Sequence, residues 1–150
     1  MAATHFSGPV VAGDLQSGET NGPNQGNVVL AQSTSITQNS TTAVSSTLYI
    51  PAGSRIVDFN IDVLTAYNSA TSATLTIGTA AAGTQYVGSI DAKTAGRAAI
   101  TYTAAQLAAM NGVSVLGVAA PTTAPVVVTV TPVGATSAGY VVVTVLYVQQ

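Results

Sequence analysis

The alternation of apolar and polar residues constrains the fold of this chain more than any other feature. In the segment IVDFNIDVL, one set of alternate residues is apolar and the other is polar, namely Val57, Phe59, Ile61 and Val63 against Asp58, Asn60 and Asp62. Successive side chains of a β-strand point to opposite faces, so this segment would have one apolar and one wet face. TLTI at 74–77 and VVVTVT at 126–131 repeat the pattern, with Val and Thr side chains that suit a pleated surface. The pattern predicts β-strands.

About nine short segments carry this signal, and turn-forming residues separate them. They span residues 28–37, 43–50, 57–63, 74–77, 84–91, 97–103, 113–119, 126–131 and 140–148. Short strands at such spacing favour an all-β fold, an antiparallel β-sandwich or barrel, in one domain over residues 28–150. The last segment, YVVVTVLYV, is apolar on both faces. It therefore lies in the centre of a sheet or against another subunit.

One helical signal interrupts the series of strands. In TAAQLAAMNG, Thr103 stands at the N-cap position, Gln106 completes a capping box, and Asn111-Gly112 is a C-cap signal. The spacing predicts one short helix over 104–110. Leu107 and Met110 are three residues apart, and we expect both to plug one end of the sandwich.

Ionisable residues are scarce, at 5% of the chain where globular domains average roughly 25%. From Ala98 onwards there is none, and the only histidine is His5. Catalysis and phosphate recognition need such groups close together. A basic face for nucleic acid is excluded because Arg55, Lys93 and Arg97 are the only cations. We expect no enzymatic activity, no cofactor and no nucleic-acid partner.

Two groupings of charged residues are the candidates for chemistry. Asp58 and Asp62 share one strand face, but they would stand about 13 Å apart, too far to share a proton or one metal ion. We therefore expect no metal site, and stability that survives treatment with EDTA. Asp91, Lys93 and Arg97 cluster around a turn and are interpreted as a local ion pair or a salt bridge between subunits.

Residues 1–27 differ in composition from the rest of the chain, being rich in Gly, Pro, Asn and Gln. The segment is interpreted as an N-terminal arm, either disordered or ordered against a neighbouring chain. Its hydrophobic anchors, and hence its candidate interface residues, are Phe6, Val10, Val11 and Leu15. We expect deletion of the arm to leave the β body folded and to weaken its attachment to a partner.

The surface of the body also indicates association with other chains. The scarcity of charge and the doubly apolar last strand predict a homotrimer, with Val142 and Leu146 at a contact between subunits. No secretory signal is visible at the start, and three prolines interrupt the most apolar window, residues 113–133. Neither a membrane partner nor secretion is therefore expected.

Two stretches carry a resemblance to a known family. Residues 48–99, LYIPAGSRIVDFNIDVLTAYNSATSATLTIGTAAAGTQYVGSIDAKTAGRAA, resemble the central segment of small virion proteins of tailed bacteriophages, and FSGPVV is similar to their N-termini. The resemblance covers roughly half of the chain. It implies a capsid decoration (cement) protein with a jelly-roll-like body, made in the host cytoplasm and located on the capsid surface of the virion. Such proteins, often trimeric, bind the major capsid protein of the phage head and clamp neighbouring capsomers.

Two alternatives of other classes stay open. A tail-fibre or receptor/glycan-binding β module would present clustered aromatic side chains in loops, whereas this chain has no Trp and its tyrosines lie mostly within the predicted strands. A self-polymerising tail or shell subunit would form rings or filaments when purified alone.

Overall fold

The computed structural model describes residues 28–51, 54–112 and 123–149. These contain eight β-strands and one α-helix: β1 (Val29–Thr37), β2 (Val44–Pro51), β3 (Ser54–Thr65), β4 (Ser72–Gly78), β5 (Val87–Asp91), β6 (Gly96–Arg97), α1 (Ala104–Gly112), β7 (Thr123–Val133) and β8 (Tyr140–Gln149). The strand predicted over 113–119 lies outside the described residues. The one predicted over 84–91 is shorter, since β5 begins only at Val87.

The strands form two four-stranded antiparallel sheets. One has the order β1-β8-β3-β6 and the other the order β2-β7-β4-β5. All six strand pairings are antiparallel. The predicted all-β sandwich is confirmed, and β8 occupies a central position, as its doubly apolar sequence indicated.

The core lies between the sheets and is mainly aliphatic. Its fully buried side chains take alternate positions along the strands and include Ile61, Val63, Leu75, Ile77, Val126, Val128, Val130, Val141, Val143 and Val145. Each such Val, Leu or Ile contributes roughly 1.5–3 kcal/mol relative to an exposed side chain. Strands β7 and β8 supply six of these ten residues, and the other two interior strands, β3 and β4, supply the remaining four.

The register of β3 against β8 shifts at two residues, Val57 and Leu64, and the shift at Val57 reverses the phase of the alternation before it. Ile56 pairs with Tyr147 and Asp58 pairs with Leu146, which leaves Val57 as an extra residue in a β-bulge. Ile56 is therefore buried at 3% exposure and Val57 is exposed at 42%. The prediction that Val57 lies on the apolar face is wrong, because an inserted residue shifts the phase of every residue before it.

The strand predicted over 97–103 is also wrong over most of its length. Only Gly96–Arg97 pairs with β3, and residues 98–103 form no strand. Alternate residues of the segment are nevertheless half-buried, as the sequence pattern indicated. Backbone hydrogen bonding to β3 reaches Ala98, whose N–H donates to the Ile61 carbonyl at 2.9 Å. Farther along the segment a side chain makes the contact, since the Phe59 N–H donates to the Tyr102 hydroxyl at 3.3 Å. The segment therefore packs on the core without extending the sheet.

Helix α1 begins with the predicted capping box. The Gln106 N–H donates to Thr103 Oγ1 at 3.2 Å, and the Thr103 N–H donates to Gln106 Oε1 at 2.9 Å. Met110 is buried as expected, but Leu107 is 46% exposed, so the expectation that both enter the core is wrong for Leu107. Leu107 lines a shallow surface cavity beside Val57 instead. Within the described residues, no helix has the length and apolarity to cross a membrane.

Three loops meet at one end of the sandwich and are joined by side-chain hydrogen bonds. Asn68, between β3 and β4, accepts the N–H groups of Ser137 and Ala138 in the β7–β8 loop at 2.9 and 3.1 Å. In that same loop, Thr136 donates to the carbonyl of Ser40 in the β1–β2 loop at 2.8 Å. These bonds satisfy loop backbone groups that no strand would pair, and they fix the three loops relative to one another.

Candidate interaction surface

Charge is confined to one half of the sandwich. Every charged side chain of the described residues lies on β3, on β5, on β6 or in the loop between the last two: Arg55, Asp58, Asp62, Asp91, Lys93 and Arg97. Strands β1, β2, β7 and β8 carry none. Because β1 pairs with β8 and β2 pairs with β7, these four strands form a contiguous surface. We call them the uncharged half.

Hydroxyl groups make up most of the polar surface of the uncharged half. Three hydroxyl pairs bridge its strands: Ser33 with Thr144 at 2.7 Å, Thr34 with Ser46 at 2.6 Å, and Ser45 with Thr129 at 2.8 Å. The Thr34–Ser46 pair joins β1 of one sheet to β2 of the other. Thr129 is already buried and the Thr34–Ser46 pair lies between the sheets, so Ser33–Thr144 is the pair exposed on the outer surface. Two hydroxyls bonded to each other cost less free energy to remove from water than two unpaired ones.

Large apolar side chains are exposed on the same half. They are Val29 at 50%, Leu30 at 37%, Tyr49 at 60% and Val133 at 50% exposure. Val29 and Leu30 are neighbours at the start of β1 and point to opposite faces of that strand. An edge strand that exposes apolar side chains on both faces is only partly covered by its own domain.

The two predicted contact residues of β8 lie on its outward face. Val142 and Leu146 alternate with the buried inward residues of the strand and are themselves half-buried. Strand β8 lies between β1 and β3, which cover the flanks of both side chains. Their tips face outward from the sheet, where another chain can reach them, and their contact with one stays a prediction.

An exposed ion pair fastens the short strand β6 to β3. Arg97 donates two hydrogen bonds to the Asp62 carboxylate, at 2.7 and 3.0 Å. These bonds hold the pKa of Asp62 below its usual value and raise the pKa of Arg97. The expected local ion pair of Arg97 with Asp91 is wrong, because the antiparallel register sets Arg97 directly opposite Asp62. A salt bridge between subunits, the other interpretation, stays a prediction.

Asp91 organises a turn instead of pairing with a cation side chain. Its carboxylate accepts the backbone N–H of Lys93 at 3.0 Å and the hydroxyl of Thr94 at 2.9 Å. Both bonds lower the pKa of Asp91. The Lys93 ammonium donates to the carbonyl of Thr71 at 3.3 Å, which ties this turn to the β3–β4 loop.

The second carboxylate of the β3 outer face also has a side-chain partner. The Tyr102 hydroxyl donates to Asp58 Oδ1 at 2.6 Å, and burial together with this bond raises the pKa of Tyr102. Asp58 and Asp62 are therefore each engaged by a different side chain. Within the described residues there is no group of three or more His, Cys, Asp or Glu side chains able to hold a metal ion.

A cavity of about 400 Å³ lies between the edges of β5 and β6. Ser89, Asp91 and Arg97 line it together with small apolar residues. The Arg97 guanidinium is a cation and cannot act as a base, and the Asp91 carboxylate could do so toward Ser89 only by giving up its bonds to the turn. The described lining therefore holds no arrangement suited to nucleophilic catalysis.

The outer edges of β1 and β2 are features that the sequence analysis did not identify. Each strand has a single partner, β8 or β7, so one side of its backbone is unpaired in the described structure. The signal was present in the sequence as a run without charge or proline, Val29–Thr37. Natural proteins usually protect such an edge with lysine, proline or a bulge.

The candidate contact residues Phe6, Val10, Val11 and Leu15 lie outside the described residues, as does the whole predicted arm. Comparisons with protein-family models, with curated proteins and with solved structures found no match to this chain.

Proposed function

We propose that this protein is a virion structural protein that binds the outside of a phage capsid and stabilises it by clamping neighbouring capsomers. The uncharged half is the observation that carries the proposal. Solvent-facing surfaces normally mix charges of both signs, whereas the buried centre of a protein interface is depleted of them. The uncharged half carries hydroxyl groups in place of charges and exposes Val29, Leu30 and Tyr49, so its surface suits burial against another protein.

We infer that the body is a jelly roll, as the resemblance to decoration proteins implies. The strand order supports this inference. An antiparallel ribbon with the pairs β1·β8, β2·β7, β3·β6 and β4·β5 gives two four-stranded sheets when it is rolled up. Those four pairs all occur, and the remaining pairs, β8·β3 and β7·β4, are the ones that rolling creates.

We infer that the protein acts as a homotrimer whose uncharged half faces its sister subunits and the major capsid protein. Val142 and Leu146 contribute to that contact from the outward face of β8. A closed trimer covers apolar surface in each copy and leaves the half that carries the charges to face water. The place of the protein is then the capsid surface of the virion.

Light scattering on the purified protein, followed by co-sedimentation with empty phage shells, tests this function. We expect a trimer that binds the shells. Leu146→Asp should dissociate the trimer or weaken shell binding while the body stays folded. Leu64→Asp, an outward position of β3 that is 61% exposed, is the matched control and should change neither. A stable monomer that does not bind shells would refute the proposal.

Deletion of residues 1–27 tests the proposed role of the arm. We expect the truncated protein to keep its melting temperature, since residues 28–149 supply both four-stranded sheets and a core between them. Its attachment to shells or to sister subunits should weaken. Unchanged oligomer mass together with unchanged shell binding would show that the arm has no part in attachment.

The alternative functions make different predictions. A glycan-binding module needs exposed aromatic side chains in loops, but Tyr67 and Tyr86 of the described loops are buried, and the exposed Tyr49 lies in β2. This distribution favours the capsid proposal. A self-polymerising subunit is favoured by the unpaired strand edges, and electron microscopy of the protein alone would then show rings or filaments.

A further inference from the structure

The outer edge of β1 lacks every device that usually prevents a strand edge from pairing with another chain. The strand is nine residues long, Val29–Thr37, without charge or proline, and its register with β8 contains no bulge. Ala31, Ser33 and Ser35 on its outward face are small and exposed. A second backbone can therefore approach to the usual strand spacing of about 4.8 Å without meeting a large side chain.

The other sheet edges are less suited to accept a strand. Strand β2 ends in Pro51, which lacks an N–H, and β5 ends at Asp91 beside Lys93. Strand β6 has two residues and its Arg97 is held by an ion pair. Only β1 combines length, regularity and absence of charge with apolar side chains exposed on both faces.

We propose that the β1 edge binds an extended segment from residues 1–27 of a neighbouring copy as an additional strand. Backbone hydrogen bonds would supply the affinity, and the side chains of the added strand would cover Val29 and Leu30. This strand exchange would form the oligomer that the proposed capsid-binding function requires. It rests on that proposed function only for the number of subunits, three.

The segment before β1 has the properties that such a strand requires. Between Pro9 and Pro23 it contains no proline, so every backbone N–H there can donate to an edge. This window includes Val10, Val11 and Leu15, which can pack on the exposed apolar start of β1. Fully extended, the 27 residues before Val28 span roughly 90 Å, enough to reach a neighbouring subunit.

Exchange of the N-terminal segment between copies also explains how association could stop at a closed oligomer of a few subunits. Each copy gives one segment and receives one, which is a head-to-tail contact. Such contacts close into a ring when the rotation between copies allows it, as in a trimer. If the β1 edges of two subunits paired directly with each other, the contact would be symmetric and would give a dimer instead.

Cysteine cross-linking on the free protein tests the proposal, because the chain has no native cysteine. A Leu15→Cys and Ser33→Cys double variant would be treated with a short bismaleimide and run on a denaturing gel. A Val11→Cys and Ser33→Cys double variant covers a different register of the added strand. We expect covalent dimers and trimers. The control is Leu15→Cys with Ser89→Cys, whose second cysteine lies on β5, and it should remain a single chain.

Two outcomes would overturn the proposal. In the variants that carry Ser33→Cys, a single chain in which both cysteines have reacted would mean that each arm covers the β1 edge of its own chain. A single chain whose cysteines are not linked to each other would mean that the arm does not bind the β1 edge. As a second test, Ala31→Lys added to the cross-linking variant should lower the yield of linked chains at least about tenfold, because lysine opposes edge pairing. No shells are present in this assay, so a negative result leaves the shell-binding test of the proposed function intact.

Discussion

At the scale of single residues, one tight packing constraint is at Gly139. Its φ is +151°, and a Cβ atom there would lie 2.6 Å from the ring of Tyr67. Tyr67 is itself held, because it is buried and donates from its hydroxyl to the Ile36 carbonyl at 3.3 Å. The ring therefore cannot move aside without losing this bond.

We predict that Gly139→Ala lowers the free energy of unfolding by about 1–3 kcal/mol more than Gly96→Ala does. Gly96 has a φ of +127° but no atom within 4 Å of its would-be Cβ, so it shares the backbone strain without the clash. Urea denaturation of both variants measures the difference. If both variants lose the same free energy of unfolding, backbone strain alone, and not the contact with Tyr67, explains why position 139 requires glycine.

The ion pair of Asp62 gives a prediction on pH. Hydrogen bonds from Arg97 hold the pKa of Asp62 below 3.8, so the contact is present above pH 3.8 and is lost as the pH falls through the lowered value. We expect Arg97→Gln to raise the pKa of Asp62, as read from its carboxyl carbon in an NMR titration. Arg55→Gln is the control and should leave that pKa in place. The effect on stability should be small because the Arg97 side chain is 64% exposed.

At the scale of secondary-structure elements, the bulge in β3 predicts which deletions the sheet tolerates. Without Val57, Ile56 can still pair with Tyr147 and Asp58 with Leu146, and no side chain changes face. Asn60 lies in the regular part of the same strand, and its removal would shift the register of all strand residues on one side of the deletion by one position. Side chains that face the core would then face the surface, and the reverse.

We therefore predict that the protein without Val57 folds, with a loss below about 2 kcal/mol, whereas the protein without Asn60 does not fold. Circular dichroism and thermal melting of the two deletion variants distinguish these outcomes. If both variants unfold, the bulge itself is required for the bend of β3.

The strands could be read from the sequence wherever alternation records a difference between core and surface. That was so for β1, β2 and β4, and the capping box located α1. Strands β7 and β8 followed instead from their runs of Val and Thr, since residues 126–130 of β7 are all buried and β8 is apolar on both faces. The bulge at Val57 was not visible, because it depends on backbone register with β8 and not on side-chain polarity. Residues 98–103 alternate in burial like a strand, yet beyond the Ala98 N–H bond to Ile61 they form no strand, since alternation reports exposure and not hydrogen bonding. The outward position of Val142 and Leu146 could not be read from the sequence, because both faces of β8 are apolar, and the accepting edge of β1 depends on which strands are neighbours.

At the scale of the whole molecule, buried phenols predict a loss of stability in alkali. Burial raises the pKa of Tyr67 from 10.0 to about 12 and also raises the pKa values of Tyr86 and Tyr102. The folded state therefore prefers the neutral phenols more strongly than the unfolded state does. This preference contributes fully below pH 10.0 and is lost as the pH rises from there towards about 12.

We expect the urea midpoint to fall steadily over that alkaline range, and to fall less steeply in Tyr67→Phe, which has no phenol at that position. Absorbance at the phenolate wavelength should show these groups ionising together with unfolding. A midpoint that stays constant up to pH 12 would contradict the burial of these tyrosines.

The uncharged half has a further consequence, which concerns ionic strength and the rate of encounter. Strands β1, β2, β7 and β8 bring no charged side chain of their own to a contact. The acidic neighbours of Leu146 and Val142 on β3, Asp58 and Asp62, are already bonded to Tyr102 and Arg97, so such a contact offers little for dissolved ions to screen. Its strength should then change little between dilute and concentrated salt. The same absence removes long-range attraction, so association should proceed near the unsteered rate of about 10⁵–10⁶ M⁻¹ s⁻¹. A coat held in this way would form slowly, at a rate set by subunit concentration, and would then be indifferent to the salinity around it.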